Sequence, residues 1–263
     1  MITRTEDRDG TGRRGPWASA FDRDTAMRLA ATEYDRLATL LAELAPEEWS
    51  LATECPAWDV RAMAGHCVGM AQMVTSLRET ARQMTSAMRA TKRSGEAQID
   101  ELTGLQVREH AHLADGEVAA ALRETGRAAV RGRRRVPRLL RAMTFKEDGG
   151  GEPEKWRVGF LLDTILTRDP WMHRDDISRE TGRELHLTAD HDGRIVADVV
   201  AEWAARHGRP FDLTLTGPAG GRWQVGEDRE RLELDAVEFC RTLSGRDRGG
   251  GEPAGLLATA VPF

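Results

Sequence analysis

A carboxylate and a histidine lie four residues apart in the segment TRDPWMHRDDISRETG, residues 167–182. If this segment is helical, Asp169 and His173 lie on one face, where they interrupt an apolar stripe that includes Leu166 and Ile177. A carboxylate oxygen and an imidazole nitrogen presented side by side are ligands for a divalent cation such as zinc. Because an unpaired carboxylate is costly in an apolar interior, the pattern requires a partner for Asp169.

Two interpretations of Asp169 are open from this segment. In the first, Asp-Pro starts a helix: Asp169 is the N-cap, Pro170 takes the first helical position, and His173 is an ordinary core histidine. In the second, the helix continues through Pro170, which only bends it, and the two polar residues belong to a metal site. His66 favours the second interpretation, because it lies on the apolar side of another predicted helix, in CPAWDVRAMAGHC, and adds a third ligand.

The repeat of apolar residues predicts the helices that carry these side chains. Four long helices are predicted, over residues 24–44, 60–77, 115–140 and 153–181, and together they predict a bundle. The expected boundary residues are Asp59 as an N-cap, Pro137 as a break, glycines 149–151 as the end of the third helix, and Gly182 after the fourth. Scattered charge over residues 91–115 indicates a long connection with one helical turn near 106–112.

After residue 190 the pattern changes from helical to alternating. One more helix is predicted over residues 194–207, FDLTLTG and RWQVG alternate as the strands of a hairpin, and RLELDAVEFCRTLSGR continues as a strand and a helix capped by Asp235. The predicted fold class is therefore α+β. We expect a disordered tail over residues 1–21, a helical bundle over 22–185 and a small α+β domain over 190–263.

The composition narrows the class of protein. The chain has 263 residues, a formal net charge of -5 and 40% hydrophobic residues, which gives room for one large or two modest domains. The net acidity argues against a nucleic-acid binder. The sequence contains no run of about 20 apolar residues of the kind that spans a membrane. We expect a cytoplasmic monomer or homodimer whose partners are small molecules.

The cysteines and an arginine-rich run are not predicted to carry chemistry. Cys55, Cys67 and Cys240 lack the spacing of a zinc ribbon and are expected to be free thiols in a reducing compartment. Cys67 follows His66 directly, and adjacent helical residues point about 100° apart, so we expect Cys67 to serve packing. The run over residues 127–141 lacks interleaved aromatic residues and is expected to be a solvated helix face, with recognition of an anionic substrate as the alternative.

The segments CPAWDVRAMAGH and RDPWMHRDDISRETG together resemble two motifs of the DinB-like, mycothiol-dependent maleylpyruvate isomerase family, and FDLTLTGPAGGRWQVG and LSGR extend the resemblance into the C-terminal region. The resemblance implies a DinB-like four-helix bundle, a small sterol-carrier-like C-terminal domain and a site in the cleft between them. It places His66, Asp169 and His173 in the metal-ligand positions. Family members commonly have glutamate at the acidic position, so Asp169 is a shorter substitute. Arg246 matches an arginine that faces the cleft, and Asp176 is either a partner of a ligand histidine or a solvated charge.

The function implied by this resemblance is metal-dependent thiol chemistry. Two histidines and one carboxylate leave coordination positions open, as in a catalytic site, and a bound divalent cation, with zinc expected, lowers the pKa of a thiol. Mycothiol is the implied cosubstrate, and the reaction is S-transfer to, or isomerisation of, a small electrophilic metabolite, with Arg246 holding an acidic group. The alternatives are a non-catalytic small-molecule-binding or resistance protein of the same fold, and a regulatory protein that uses the arginine run on nucleic acid.

Overall fold

The structure is a computed structural model that describes residues 15–147, 153–246 and 253–263. The chain divides into a helical unit, Pro16–Leu185, and a second unit that includes His186–Phe263. The predicted α+β class is confirmed, because the chain is mostly helical and its second unit contains a small sheet. Residues 1–14 of the predicted tail and the glycines at 149–151 lie outside the described residues. In the described part, no helix combines the length and the apolar character needed to cross a bilayer.

The helical unit contains α1 (Arg23–Ala42), α2 (Val60–Met73), α3 (Leu77–Ser94), α4 (Gln98–His110), α5 (Asp115–Arg135), α6 (Arg138–Ala142), α7 (Val158–Phe160) and α8 (Leu166–Thr181). A 3-10 turn, Pro46–Ser50, precedes α2, and a π-helical segment, Leu161–Ile165, leads into α8. The predicted N-cap of α2 is confirmed, because the Asp59 side chain accepts from the N–H of Ala62. Gly182 ends α8 with φ 68°, as predicted.

Four of these helices surround the core that positions the site. α1 packs against α5 and α8, and α2 packs against α5, α8 and α4. Each contributes side chains with no solvent exposure, such as Leu37 from α1, Met63 from α2, Leu122 from α5 and Ile177 from α8. Burial of these apolar stripes is what holds the backbone of α2 beside that of α8.

The prediction of a long connection over residues 91–115 with one helical turn near 106–112 is wrong in extent. α3 continues to Ser94, and α4 covers Gln98–His110, which includes most of the predicted turn. Gly95, with φ 81°, is the left-handed residue that ends α3. Leu77 and Met88 of α3 are largely exposed, and its only buried side chains are those of Gln83 and Ala87. A helix that buries so little lacks the apolar repeat on which the prediction depended.

The prediction that a helix begins at residue 153 is also wrong. The strand β2 (Glu154–Arg157) pairs antiparallel with β1 (Thr144–Glu147) in a hairpin. Within the range predicted as a tail, Trp17 joins this hairpin: its N–H donates to the Lys155 carbonyl and its carbonyl accepts from the Arg157 N–H. Aromatic side chains explain this arrangement, because Trp17 packs with Trp156 and Phe160 in a small apolar cluster.

The second unit combines a three-stranded sheet with two helices. It contains α9 (Asp192–His207), β3 (Phe211–Thr216), β4 (Gly221–Val225), β5 (Glu230–Asp235), α10 (Ala236–Ser244) and a 3-10 turn, Gly255–Ala258. β3 is central, antiparallel to β4 as predicted and parallel to β5. Its inward side chains Phe211, Leu213 and Leu215 are buried, and Asp235 caps α10 as expected.

Candidate metal centre

Asp169 and Pro170 lie inside α8 and do not start it. The helix begins at Leu166, its N-cap position is Ile165, and no side chain caps it there. The interpretation of Asp169 as an N-cap is therefore wrong. The structure supports the alternative, in which the helix continues through Pro170 and presents Asp169 and His173 one turn apart.

A buried arginine compensates for the proline in this helix. Pro170 has no N–H to donate to the carbonyl of Leu166, four residues before it. Arg133 from α5 donates to that carbonyl from Nη1 at 3.2 Å and to Thr167 Oγ1 from Nη2 at 2.9 Å. The Arg133 side chain has no exposure, so at this residue the prediction of a solvated arginine face is wrong. Arg141, in the same run, is nearly buried in an ion pair with Asp163.

The structure brings His66, Asp169 and His173 together in the interior of the helical unit. His66 Nε2 lies 3.4 Å from Asp169 Oδ2, and His173 Nε2 lies 3.5 Å from Asp169 Oδ1. The two imidazole rings are perpendicular, with centroids 5.3 Å apart. The ring of Trp58 lies over His66 at 4.9 Å and limits the movement of that imidazole.

Each histidine is held from behind through its other ring nitrogen. His66 Nδ1 lies 2.9 Å from Gln106 Oε1, and His173 Nδ1 lies 3.2 Å from Asp176 Oδ2. Asp176 has no solvent exposure, so the alternative of a solvated charge is wrong for this residue. Both imidazoles consequently direct Nε2 toward the carboxylate of Asp169, the arrangement that helical ligand histidines adopt.

The carboxylate of Asp169 is held in its ionised form. Burial, the largest influence, opposes ionisation, but the charges of His173 and His66 outweigh it, so the pKa of Asp169 falls well below its usual range. The Asp169 side chain keeps 20% exposure, while those of the two histidines keep 6% each. The cluster is thus nearly closed, and Asp169 is its most exposed member.

These three residues fit a divalent cation. Ligand atoms about 2.0–2.1 Å from a tetrahedral zinc lie about 3.4 Å from one another, which matches the contacts of Asp169 with both Nε2 atoms. Asp169 Oδ2 is buried, and no described residue forms a hydrogen bond with it. His66 Nε2, at 3.4 Å, is too far from this oxygen for a strong hydrogen bond, and a cation bound by the three residues would meet it directly. Two nitrogens and one oxygen leave further positions open.

The cysteine beside His66 does not belong to this set. Cys67 is fully buried, and burial raises the pKa of its thiol well above the usual value, with a further contribution from Asp169. A thiol with a raised pKa is protonated at neutral pH and is a poor ligand and nucleophile. The expectation that Cys67 serves packing agrees with this environment.

Arg246 lies in the second unit, directly after Gly245, which ends α10 in the left-handed conformation. Its side chain is half-buried, and its N–H donates to the carbonyl of Arg241. The role that we expect for it toward an acidic substrate stays a prediction.

The sequence did not single out the glutamines behind His66. Gln106 is 1% exposed and Gln83 is fully buried, both on helices that the apolar repeat does not reveal. A usable signal was Gly69, since a glycine inside a predicted helix, one turn after His66, indicates close approach of another segment. A Cβ atom at Gly69 would lie 2.5 Å from the Cβ of Gln106.

Fold and site together define the class: a helical protein with a two-histidine, one-carboxylate cluster in its interior, followed by a small α+β unit. Residues 30–178 match the family described as the mycothiol maleylpyruvate isomerase N-terminal domain, so the chain belongs to this family of enzymes. The structure is similar to the crystal structure of a mycothiol-dependent maleylpyruvate isomerase, with 14% sequence identity, a TM-score of 0.55 and coverage of 88% of this chain and 92% of that chain. A mutant of that enzyme gives a TM-score of 0.54 with 14% identity, over 86% of this chain and 90% of that one. Comparison with curated protein sequences finds no match.

Proposed function

We propose that the protein is a divalent-metal-dependent enzyme that uses mycothiol to transfer a thiol to, or to isomerise, a small electrophilic metabolite. Membership of the mycothiol maleylpyruvate isomerase family supports the thiol and the reaction class. The observation that carries the proposal is the convergence of His66 Nε2, His173 Nε2 and the carboxylate of Asp169 within one cluster. Zinc is the proposed cation, because it accepts two imidazoles and one carboxylate and leaves a position open.

A cation held by these residues would lower the pKa of a bound thiol, so that the nucleophilic thiolate forms at neutral pH. The chain's own residues prepare the site for it. Asp176 and Gln106 fix the two imidazole rings, and the negative charge of Asp169 offsets part of the charge of the cation. The stacked ring of Trp58 restricts both the orientation of His66 and the access of water to it.

Cys67 is not suited to supply the thiol, which favours a thiol cosubstrate. Cys67, the cysteine that follows His66 in the chain, is buried and has a raised pKa. The low exposure of the three candidate ligands favours a reaction in a site from which bulk water is largely excluded, where electrostatic stabilisation is strongest.

We expect purified protein to consume maleylpyruvate or a related electrophile in the presence of mycothiol, and a chelator to stop the reaction. Removal of the cation should lower the rate by about 10²-fold or more, the several kcal/mol that a metal ion contributes, and added zinc should restore it. The reaction is followed by loss of the electrophile, with glutathione in place of mycothiol as the control for thiol specificity.

Turnover that continues unchanged with the chelator would contradict the metal-dependent mechanism. Binding of cation and thiol without turnover of any tested electrophile would instead favour the non-catalytic binding protein.

A further inference from the structure

A chain of buried side-chain amides leads away from His66. Gln106 Oε1 lies 2.9 Å from His66 Nδ1 and can only accept there, and Gln106 Nε2 donates to Gln83 Oε1 at 3.0 Å. Gln83 Nε2 in turn donates to the carbonyl of Gly69 and to Glu79 Oε1, each at 3.1 Å. Gln83 and Gln106 are 0% and 1% exposed and are hydrogen-bonded to each other. They therefore form a buried polar network beside the metal cluster.

The far end of this chain fixes its direction. Gly69 offers a carbonyl and Glu79 a carboxylate, and hydrogen bonding to Arg82 holds the pKa of Glu79 below its usual range, so both groups only accept. Gln83 must therefore turn its NH₂ toward them and its oxygen toward Gln106. The oxygen of Gln83 then accepts from the NH₂ of Gln106, which leaves the oxygen of Gln106 facing His66. The proton in the hydrogen bond between His66 Nδ1 and Gln106 Oε1 is therefore carried by His66 Nδ1.

We propose that Gln83 and Gln106 form a positioning relay that keeps a proton on His66 Nδ1, so that Nε2 is the nitrogen that faces Asp169 and is left to accept a cation. When a cation is bound at Nε2, the proton of the imidazole is on Nδ1, where the relay accepts it. The value of this arrangement for cation binding rests on the proposed function. The proton on Nδ1 depends on the relay, whereas the protonation of Nε2 is set by Asp169, whose Oδ2 lies 3.4 Å away.

The backbone of α2 is adapted to this relay. Gly69 lies one turn after His66, and a Cβ atom there would lie 2.5 Å from Gln106 Cβ and 3.0 Å from Gln106 Cα. Glycine inside a helix is destabilising relative to alanine. The chain accepts this cost where it allows Gln106 to approach His66.

The relay is tested on metal-free, ¹⁵N-labelled protein by whether His66 Nδ1 carries a proton. Long-range ¹H–¹⁵N spectra distinguish the two tautomers, and the His66 signals are assigned from their loss in His66→Ala. We expect Nδ1–H in the wild type, its retention in Gln106→Glu, which keeps the acceptor, and a shift toward Nε2–H in Gln106→Met, which removes it. The exposed His112 serves as the internal control.

A wild-type ring with a proton on Nε2 and none on Nδ1, or a proton on Nδ1 that is unaffected by Gln106→Met, would overturn the relay. If Gln106→Met does not fold, Gln83→Met removes the anchor one step further away and should produce a mixture of tautomers. A single unchanged Nδ1–H tautomer in Gln83→Met would equally refute the directional argument.

Zinc affinity, measured by competition with a chromophoric chelator, gives a second readout. Gln106→Met should weaken binding by about 10–100-fold, as is typical when the partner of a ligand histidine is lost, while Gln106→Glu should retain it. Equal losses in both variants would indicate a structural role only. Should the wild type bind no cation, the proposed function fails, while the tautomer still decides the relay.

Discussion

His66→Ala is expected to lower the bound divalent cation from one per chain to none and to abolish thiol-dependent turnover. His66 is the ligand that α2 contributes, and its removal leaves only the Asp169 and His173 pair of α8. A two-ligand site on one helix binds a cation weakly, so the rate should fall by about 10³-fold or more. Metal content is measured after dialysis, and turnover with mycothiol is measured in parallel.

His112→Ala is the matched control, because His112 is exposed and lies outside the cluster. It should retain full metal content and full activity. Circular dichroism should show that His66→Ala keeps the helical content of the wild type. A His66→Ala protein that holds one cation per chain after dialysis would show that the cation binds elsewhere.

Arg174→Met is expected to destabilise the helical unit by about 3–5 kcal/mol, the usual cost of leaving a buried charge without its partner. Arg174 on α8 meets Glu33 on α1 through two contacts, Nε to Oε1 at 2.6 Å and Nη2 to Oε2 at 3.2 Å. The two side chains are 3% and 0% exposed, so solvent cannot replace the lost contacts. The free energy of unfolding is measured in urea, and the melting temperature should fall by about 10 °C.

An exposed ion pair between helices of the same unit provides the control. Arg123 lies 3.6 Å from Asp35, and their side chains are 38% and 68% exposed. Arg123→Met should change the free energy of unfolding by less than about 1 kcal/mol, because solvent screens such pairs. If Arg174→Met is no more destabilising than this control, the buried pair does not hold α8 against α1.

The helices of the core were predictable because each buries an apolar stripe. α1, α2, α5 and α8 all follow the 3.6-residue repeat, and their caps at Asp59 and Gly182 match local chemistry that needs no tertiary information. α3 and α4 escaped prediction because they pack mainly through polar side chains. The hairpin of β1 and β2 escaped it because its pairing with Trp17 joins residues far apart in the chain.

The candidate site also has a part that the sequence predicts and a part that depends on tertiary packing. The spacing of Asp169 and His173 is local and could be interpreted directly. The approach of His66 depends on the packing of α2 against α8, and the sequence alone showed only that this histidine lies on the apolar face of a helix. Arg133 could not be distinguished from its many neighbouring arginines. Its role follows only when Pro170 is seen inside α8, where a carbonyl lacks its usual donor.

The most direct test of the proposed metal centre is an anomalous difference map, collected at the zinc absorption edge, from crystals grown with one equivalent of zinc. We expect a single strong peak about 2.0–2.2 Å from His66 Nε2, His173 Nε2 and an oxygen of Asp169. A map with no peak there, with the two imidazoles turned away from Asp169 or the cation held by other residues, would contradict it.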